Sequence, residues 1–204
     1  MKYFFLLLLL FSFSNAFCQQ KFKIKSVDTP DGKTTYYMIN QKGETFKKLD
    51  SEKYFISFDE DNYKGFAVFG IKGENDWVAI DSNEKKLFKV YNTSFGEPSP
   101  DKLIENKIRI VDDNDKIGFA DSNGKIIIKP QFEIATSFHK GKAIIGESCV
   151  KIPWNQHATE DDCHHYTIEC KKQGYIDQNG TILEIGNFTF EEIQKKIKWK
   201  SELY

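Results

Sequence analysis

Seven residues able to do chemistry crowd into one stretch of this chain: Cys149, Trp154, His157, Cys163, His164, His165 and Cys170. Thiolates and imidazoles are the ligands of zinc and copper sites, and a pair of thiols in an oxidising compartment closes into a disulfide. A metal reading draws on Cys163, His164, His165 and Cys170. Its spacing is poor, because adjacent His164 and His165 point to opposite faces of a strand, and no Cys-x-x-Cys or His-x-x-x-His is present. A disulfide reading pairs Cys149 with Cys170 and leaves Cys163 free or intermolecular.

Other reactive patterns dissolve into turn chemistry. Ser-x-x-Lys strings at Ser82 to Lys85, Ser122 to Lys125 and Ser137 to Lys140 resemble an amine-activated serine, but the first two are the same turn met twice. Acidic stretches at Asp59-Glu60-Asp61 and Asp112-Asp113-Asn114-Asp115 lack the spacing and terminal bidentate Glu of a calcium loop and read as solvated turns. His139 has no positioned partner in the sequence and reads as a surface residue rather than a base. No nucleophile elbow, phosphate loop or dinucleotide fingerprint occurs, so no catalytic residue, cofactor or enzymatic activity is expected. Charge is nearly balanced at 29 basic against 30 acidic residues, and Arg109 is the sole arginine. The planar fork that reads phosphates and base edges is thus almost missing, and no nucleic-acid partner is expected.

The chain opens as an export signal: Lys2 supplies a positive start, Phe4 to Phe13 form an apolar run broken only by Ser12, and small residues follow. That run falls short of the roughly 20 apolar residues of a spanning helix, so residues 1–18 read as a signal peptide and the mature chain carries no transmembrane segment. Cleavage after Cys18 or after Ala16 both fit. Phe17 stands where a lipoprotein signal requires a small residue, which argues against a lipid anchor on Cys18. The destination is the periplasm, cell envelope or exterior.

What positions the reactive stretch is a repeat. Four segments superimpose: Tyr36 to Gly43, Asp76 to Glu84, Ile117 to Gly124 and Gln173 to Gly180. Each runs from an aromatic or apolar pair through Asp or Asn to two polar residues and usually Gly. The anchors Asn40, Asp81 and Asp121 recur at nearly equal spacing, while Asp177 comes late because extra chain lies between Ile145 and Gly174. Half-motifs at Gly65 to Val68, Asn106 to Arg109 and Gly141 to Ile144 follow the first three. Each unit reads as short antiparallel strands joined by an Asp-capped turn, and such hairpins must stack on one another to bury a face. Borrowing the register of the preceding hairpin places Cys149 opposite Cys170 to within one residue and Cys163 near the tip, opposite Asn155. Trp77, Tyr36 and Tyr37 read mainly as packing, and Trp154 as a contact candidate.

The run from Gly118 to Phe132, with Lys129-Pro130-Gln131-Phe132, Phe138 and Gly141 after it, resembles the WG-repeat family, also called KWG repeats. The likeness covers most of residues 34 to 185, although no Trp-Gly pair is intact. It implies an all-β repeat protein, commonly exported in bacteria, with no established catalytic residues. Residues 19–186 are therefore expected to form tandem β-hairpin repeats, as a propeller-like ring or an open solenoid. In residues 187–204, Thr189 with Glu192 forms a capping box, and Phe190, Ile193 and Ile197 share one face of an amphipathic helix. That helix is read as a cap on the last strands, against a membrane-surface role for Lys195, Lys196, Lys198 and Lys200. The function expected is an exported, non-catalytic scaffold binding a protein or glycan; the alternative is metal binding or thiol activity in the insertion at 146–173.

Overall fold

The computed structural model describes residues 21–58, 63–93, 99–153 and 166–201. Strands β1 (Lys23–Asp28), β2 (Thr34–Ile39) and β3 (Thr45–Lys48) form a first antiparallel sheet. A second, seven-stranded sheet holds β4 (Tyr54–Phe58), β5 (Ala67–Ile71), β6 (Trp77–Ile80) and β7 (Lys86–Val90). After the small ribbon β8 (Asn92–Thr93) and β9 (Ser99–Pro100), that sheet continues with β10 (Lys107–Val111), β11 (Ile117–Asp121) and β12 (Ile126–Phe132). The third main sheet contains β13 (Ile134–Ala135), β14 (Ala143–Pro153), β15 (Tyr166–Ile176) and β16 (Ile182–Gly186), and α1 (Phe190–Ile197) closes the described chain. All pairings are antiparallel. The all-β expectation holds.

The repeating unit is a three-stranded meander: β1-β2-β3, β5-β6-β7, β10-β11-β12 and β14-β15-β16. In each, the middle strand carries the aromatic or apolar pair and ends at the Asp or Asn anchor. The half-motifs lie in or just before β5, β10 and β14, so each opens the next meander instead of closing its own. One sequence repeat therefore contributes to two successive units and ties them together.

Strand alternation explains how the units stack. Ala67, Phe69 and Ile71 of β5 join Phe22, Tyr36, Met38 and Leu49 of the first unit in one buried cluster. Phe66 and Val68, with the opposite parity, share a cluster with Ile108, Ile110 and Ala120 of the third unit. Strands β11 and β14 repeat the pattern: Phe119 packs with Ala143 and Ile145, whereas Ile144 turns away onto the helix. Inner sheets buried on both faces bury nearly every residue, and β5 is buried at all of its positions. Three clusters join consecutive units and the fourth joins β14 and β15 to α1; among the described residues none joins the first meander to the fourth.

Thr189 caps α1 as its sequence predicts: its hydroxyl accepts from the Glu192 amide, while the Glu192 carboxylate accepts from the Thr189 amide. Ile193, Ile197 and Trp199 are buried against Ile144, and Trp199 Nε1 donates to the Ser137 carbonyl at 2.9 Å. The apolar face that a membrane-surface helix would need is thus occupied by the last sheet. Lys196 reaches Glu184 on β16. The helix caps the stack.

Candidate functional site

The anchor residues make one turn, used five times among the described residues. At Asn40, Asp81, Asp112, Asp121 and Asp177, the side-chain Oδ1 accepts from the amides two and four residues on, at 2.8–3.0 Å. The fourth residue of each turn is left-handed, with φ of 81° at Gly43, 63° at Glu84, 57° at Asp115, 80° at Gly124 and 83° at Gly180. The side chain replaces water on two amides that the tight chain reversal would leave open. Asp112 is a finding beyond the repeat comparison, since the acidic stretch it begins is the same Asp-capped turn and joins β10 to β11. Ser82 and Ser122 are buried in these turns, in keeping with a structural role for their Ser-x-x-Lys strings. The stretch Asp59-Glu60-Asp61 lies outside the described residues.

The signature glycines answer to backbone contact. A Cβ on Gly118 would meet the Ile128 carbonyl oxygen and the Pro130 nitrogen, each at 2.5 Å; on Gly174 it would meet the Glu184 oxygen at 1.9 Å. In the third unit the β11–β12 register shifts between Ile117↔Phe132 and Phe119↔Ile128, so the strand bulges over Gly118. Pro130 sits in that bulge, where a missing N–H breaks no ladder bond. In the second unit the ladder runs straight past the equivalent position, Val78 opposite Lys89, and a side chain is tolerated.

Arg109, legible in the sequence only as a solitary arginine, is an internal clamp. Its Nε and NH2 donate to Asp101 at 3.0 and 2.6 Å, its NH1 donates to the Ala135 carbonyl at 3.1 Å, and its guanidinium lies 4.4 Å from the Tyr91 ring centroid. Burial opposes the charge, but Asp101 more than offsets this and raises the guanidinium's pKa. A buried pair with its lone pairs filled positions the β8–β9 ribbon against β10, and it leaves no arginine for a phosphate ligand. At the junction of the first two units, Tyr54 is fully buried and its hydroxyl donates to Glu84 at 3.0 Å. Burial, then that carboxylate, hold the phenol's pKa above its ordinary value.

The insertion extends β14 and β15 into a long hairpin, and Cys149 and Cys170 are joined by a disulfide with their Cα atoms 3.9 Å apart. The register carries over from the preceding hairpin: Arg109 faces Phe119 there and Ile144 faces Tyr175 here, so the two cysteines stand directly opposite each other. Gly146 lets the bond sit close, since a Cβ there would lie 2.5 Å from Cys170 Sγ. Glu133 accepts from the Cys149 amide at 2.8 Å, and this bond above all keeps its carboxyl below the ordinary range. Past Glu147↔Lys172 no third strand pairs with the hairpin among the described residues, and Val150, Ile152 and Ile168 are exposed.

With Cys170 bonded to Cys149, the metal set of Cys163, His164, His165 and Cys170 loses one thiolate in this form. Cys163, His164, His165, Trp154 and His157 lie outside the described residues. No group of three or more His, Cys, Asp or Glu side chains is placed to hold a metal among the described residues. His139 pairs through its backbone with Lys142 across a two-residue turn and is half-buried rather than at the surface. Tyr36 is buried edge-on to Phe69, Trp77 packs edge-on to Phe58, and Tyr37 is half-buried.

Stacked antiparallel meanders, with one sequence repeat shared between neighbouring layers, define an all-β repeat protein. Residues 117–146 match the family described as WG containing repeat, so this part of the chain is similar to that family. The matched segment runs through β11, β12 and β13 into β14, across the boundary between two sheets. It is the one unit in which the signature glycine and its bulge proline occur together. No curated protein matches the chain.

Proposed function

We propose that this chain is an exported, non-catalytic repeat scaffold that binds a protein or glycan partner at the cell envelope. The observation that carries this reading is the Cys149–Cys170 disulfide, which staples a hairpin that projects beyond the stack. Such bonds persist in oxidising compartments, in keeping with the signal-like first 18 residues. Two-sided burial consumes the inner sheet faces in packing, so recognition falls to turns, outer faces and the projecting hairpin. No helix of the described residues is long and apolar enough to cross a membrane.

The test is fractionation of cells producing the full chain, followed by N-terminal sequencing and a thiol count. A mature chain beginning at Gln19 or Phe17, recovered from the envelope or medium with Cys149 and Cys170 oxidised, is the expected result. An uncut chain in the cytosol with both thiols free would overturn the proposal.

A further inference from the structure

A groove of about 670 Å³ opens where the first two units meet, between the β1–β2 turn, the β3–β4 connection and the β5–β6 turn. Its aromatic element is Phe55, a residue 59% exposed although it lies within a strand. The cause is a β-bulge: Tyr54 faces Ile71 and Ile56 faces Gly70, leaving Phe55 as the extra residue. Its ring lies against Gly70, where a Cβ would come within 2.7 Å of Cζ, and the residue remains largely open to solvent. Backbone bulging re-aims this side chain away from the core that the neighbouring Tyr54 enters.

Two ammonium groups, of Lys33 and Lys72, and two carboxylates, of Glu52 and Glu74, line the groove with Phe55. Lys33 Nζ and Lys72 Nζ approach the two oxygens of Glu52 at 3.0 and 3.9 Å, and Glu74 pairs with Lys86. Ammonium groups only donate hydrogen bonds and carboxylates only accept them. Neither an anion nor a cation is favoured by such a lining, whereas a hydroxyl serves both kinds of group at once. A ligand dense in hydroxyls that also has an apolar face to lay on Phe55 is a gluco-configured pyranose, whose axial C–H groups form a flat surface. Strand addition by a peptide is disfavoured here. The bulge breaks the ladder of edge strand β4, and the Phe55 carbonyl already accepts from the Tyr36 hydroxyl at 3.4 Å.

We infer that this groove binds a neutral β-linked oligosaccharide, with Phe55 as the stacking platform and Lys33, Glu52 and Lys72 as the hydroxyl-reading rim. The inference deepens the reading of the chain as an exported binding module and rests on it.

The experiment is an amide NMR titration of the oxidised mature chain with cellotetraose and with tetra-N-acetylchitotetraose. One of these sugars is expected to give saturable shifts at Ser51–Phe55 and Lys72–Glu74. Phe55→Ala should weaken that binding at least about tenfold with an unchanged circular dichroism spectrum, Phe55→Trp should retain it, and Glu52→Gln should weaken it by roughly threefold or more. Absence of shifts with both sugars, or binding indifferent to Phe55→Ala, overturns the inference. Shifts instead along Ile56–Phe58 with a strand-forming Thr-Val hexapeptide would assign the edge to peptide and overturn it too. Retention on isolated envelopes separates the two levels. Wild type and Phe55→Ala retained alike, with no sugar response, sinks the groove alone, whereas wild type not retained sinks the module reading.

Discussion

An anchor carboxylate that caps two amides is a local device, and its consequences can be read one residue at a time. Asp112 and Asp177 are held below the ordinary carboxyl value of 3.8, chiefly by the backbone amides of Lys116 and Thr181 respectively. A pKa depressed in the folded chain stabilises it above the unfolded value, and that contribution is lost as pH falls through the folded value. Thermal stability should therefore fall as pH drops below about 4, and Asp177→Asn should flatten that decline while keeping the turn. Asn40 already holds the same geometry without a titrating group. At Asp115 the left-handed φ of 57° is borne by a residue with a Cβ, so Asp115→Gly should raise the stability measured by urea unfolding by roughly 0.5–1 kcal/mol. Glu84→Gly, at the equivalent position, should not stabilise, because Glu84 also holds the Tyr54 hydroxyl and the Lys47 ammonium.

At the scale of the element, two features govern the hairpins: close approach at the bulge and the covalent staple. Gly118→Ala forces a Cβ into the Ile128–Pro130 backbone, and denaturant unfolding should show a loss of about 3 kcal/mol, whereas the second unit already carries a side chain at the equivalent Val78. The disulfide closes a loop with a sequence separation of 21. Cys149→Ser with Cys170→Ser should lower stability by ~3 kcal/mol on loop-entropy grounds. Hydrogen exchange should locate the effect. Amides at 148–153 and 166–172 form a ribbon that no third strand joins among the described residues and should lose protection, while those of β5 and β11 should not.

Across the whole molecule the stack has two unlike ends. The last sheet is closed by α1 and Trp199, which is only 9% exposed, so Trp199→Ala should cost roughly 3–5 kcal/mol in equilibrium unfolding and promote self-association. The buried clusters join neighbours in series. Damage at the cap should therefore leave hydrogen-exchange protection in β1–β3 largely intact, as in other quasi-one-dimensional folds.

The repeats, the capped turns, the helix with its capping box and the facing cysteines were legible in the amino-acid sequence because each depends on contacts within a few residues or within one hairpin. A side-chain oxygen finds amides two and four positions away, and antiparallel register carries from one hairpin to its equivalent. Only the tertiary structure decided which meander each half-motif joins, because that depends on which strand edges meet after the turn. It also decided that the lone Arg109 is buried against Asp101, and that a bulge lifts Phe55 out of the core beside Lys33, Glu52 and Lys72. These last are meetings between segments distant in the chain, where spacing carries no signal and packing alone sets the outcome.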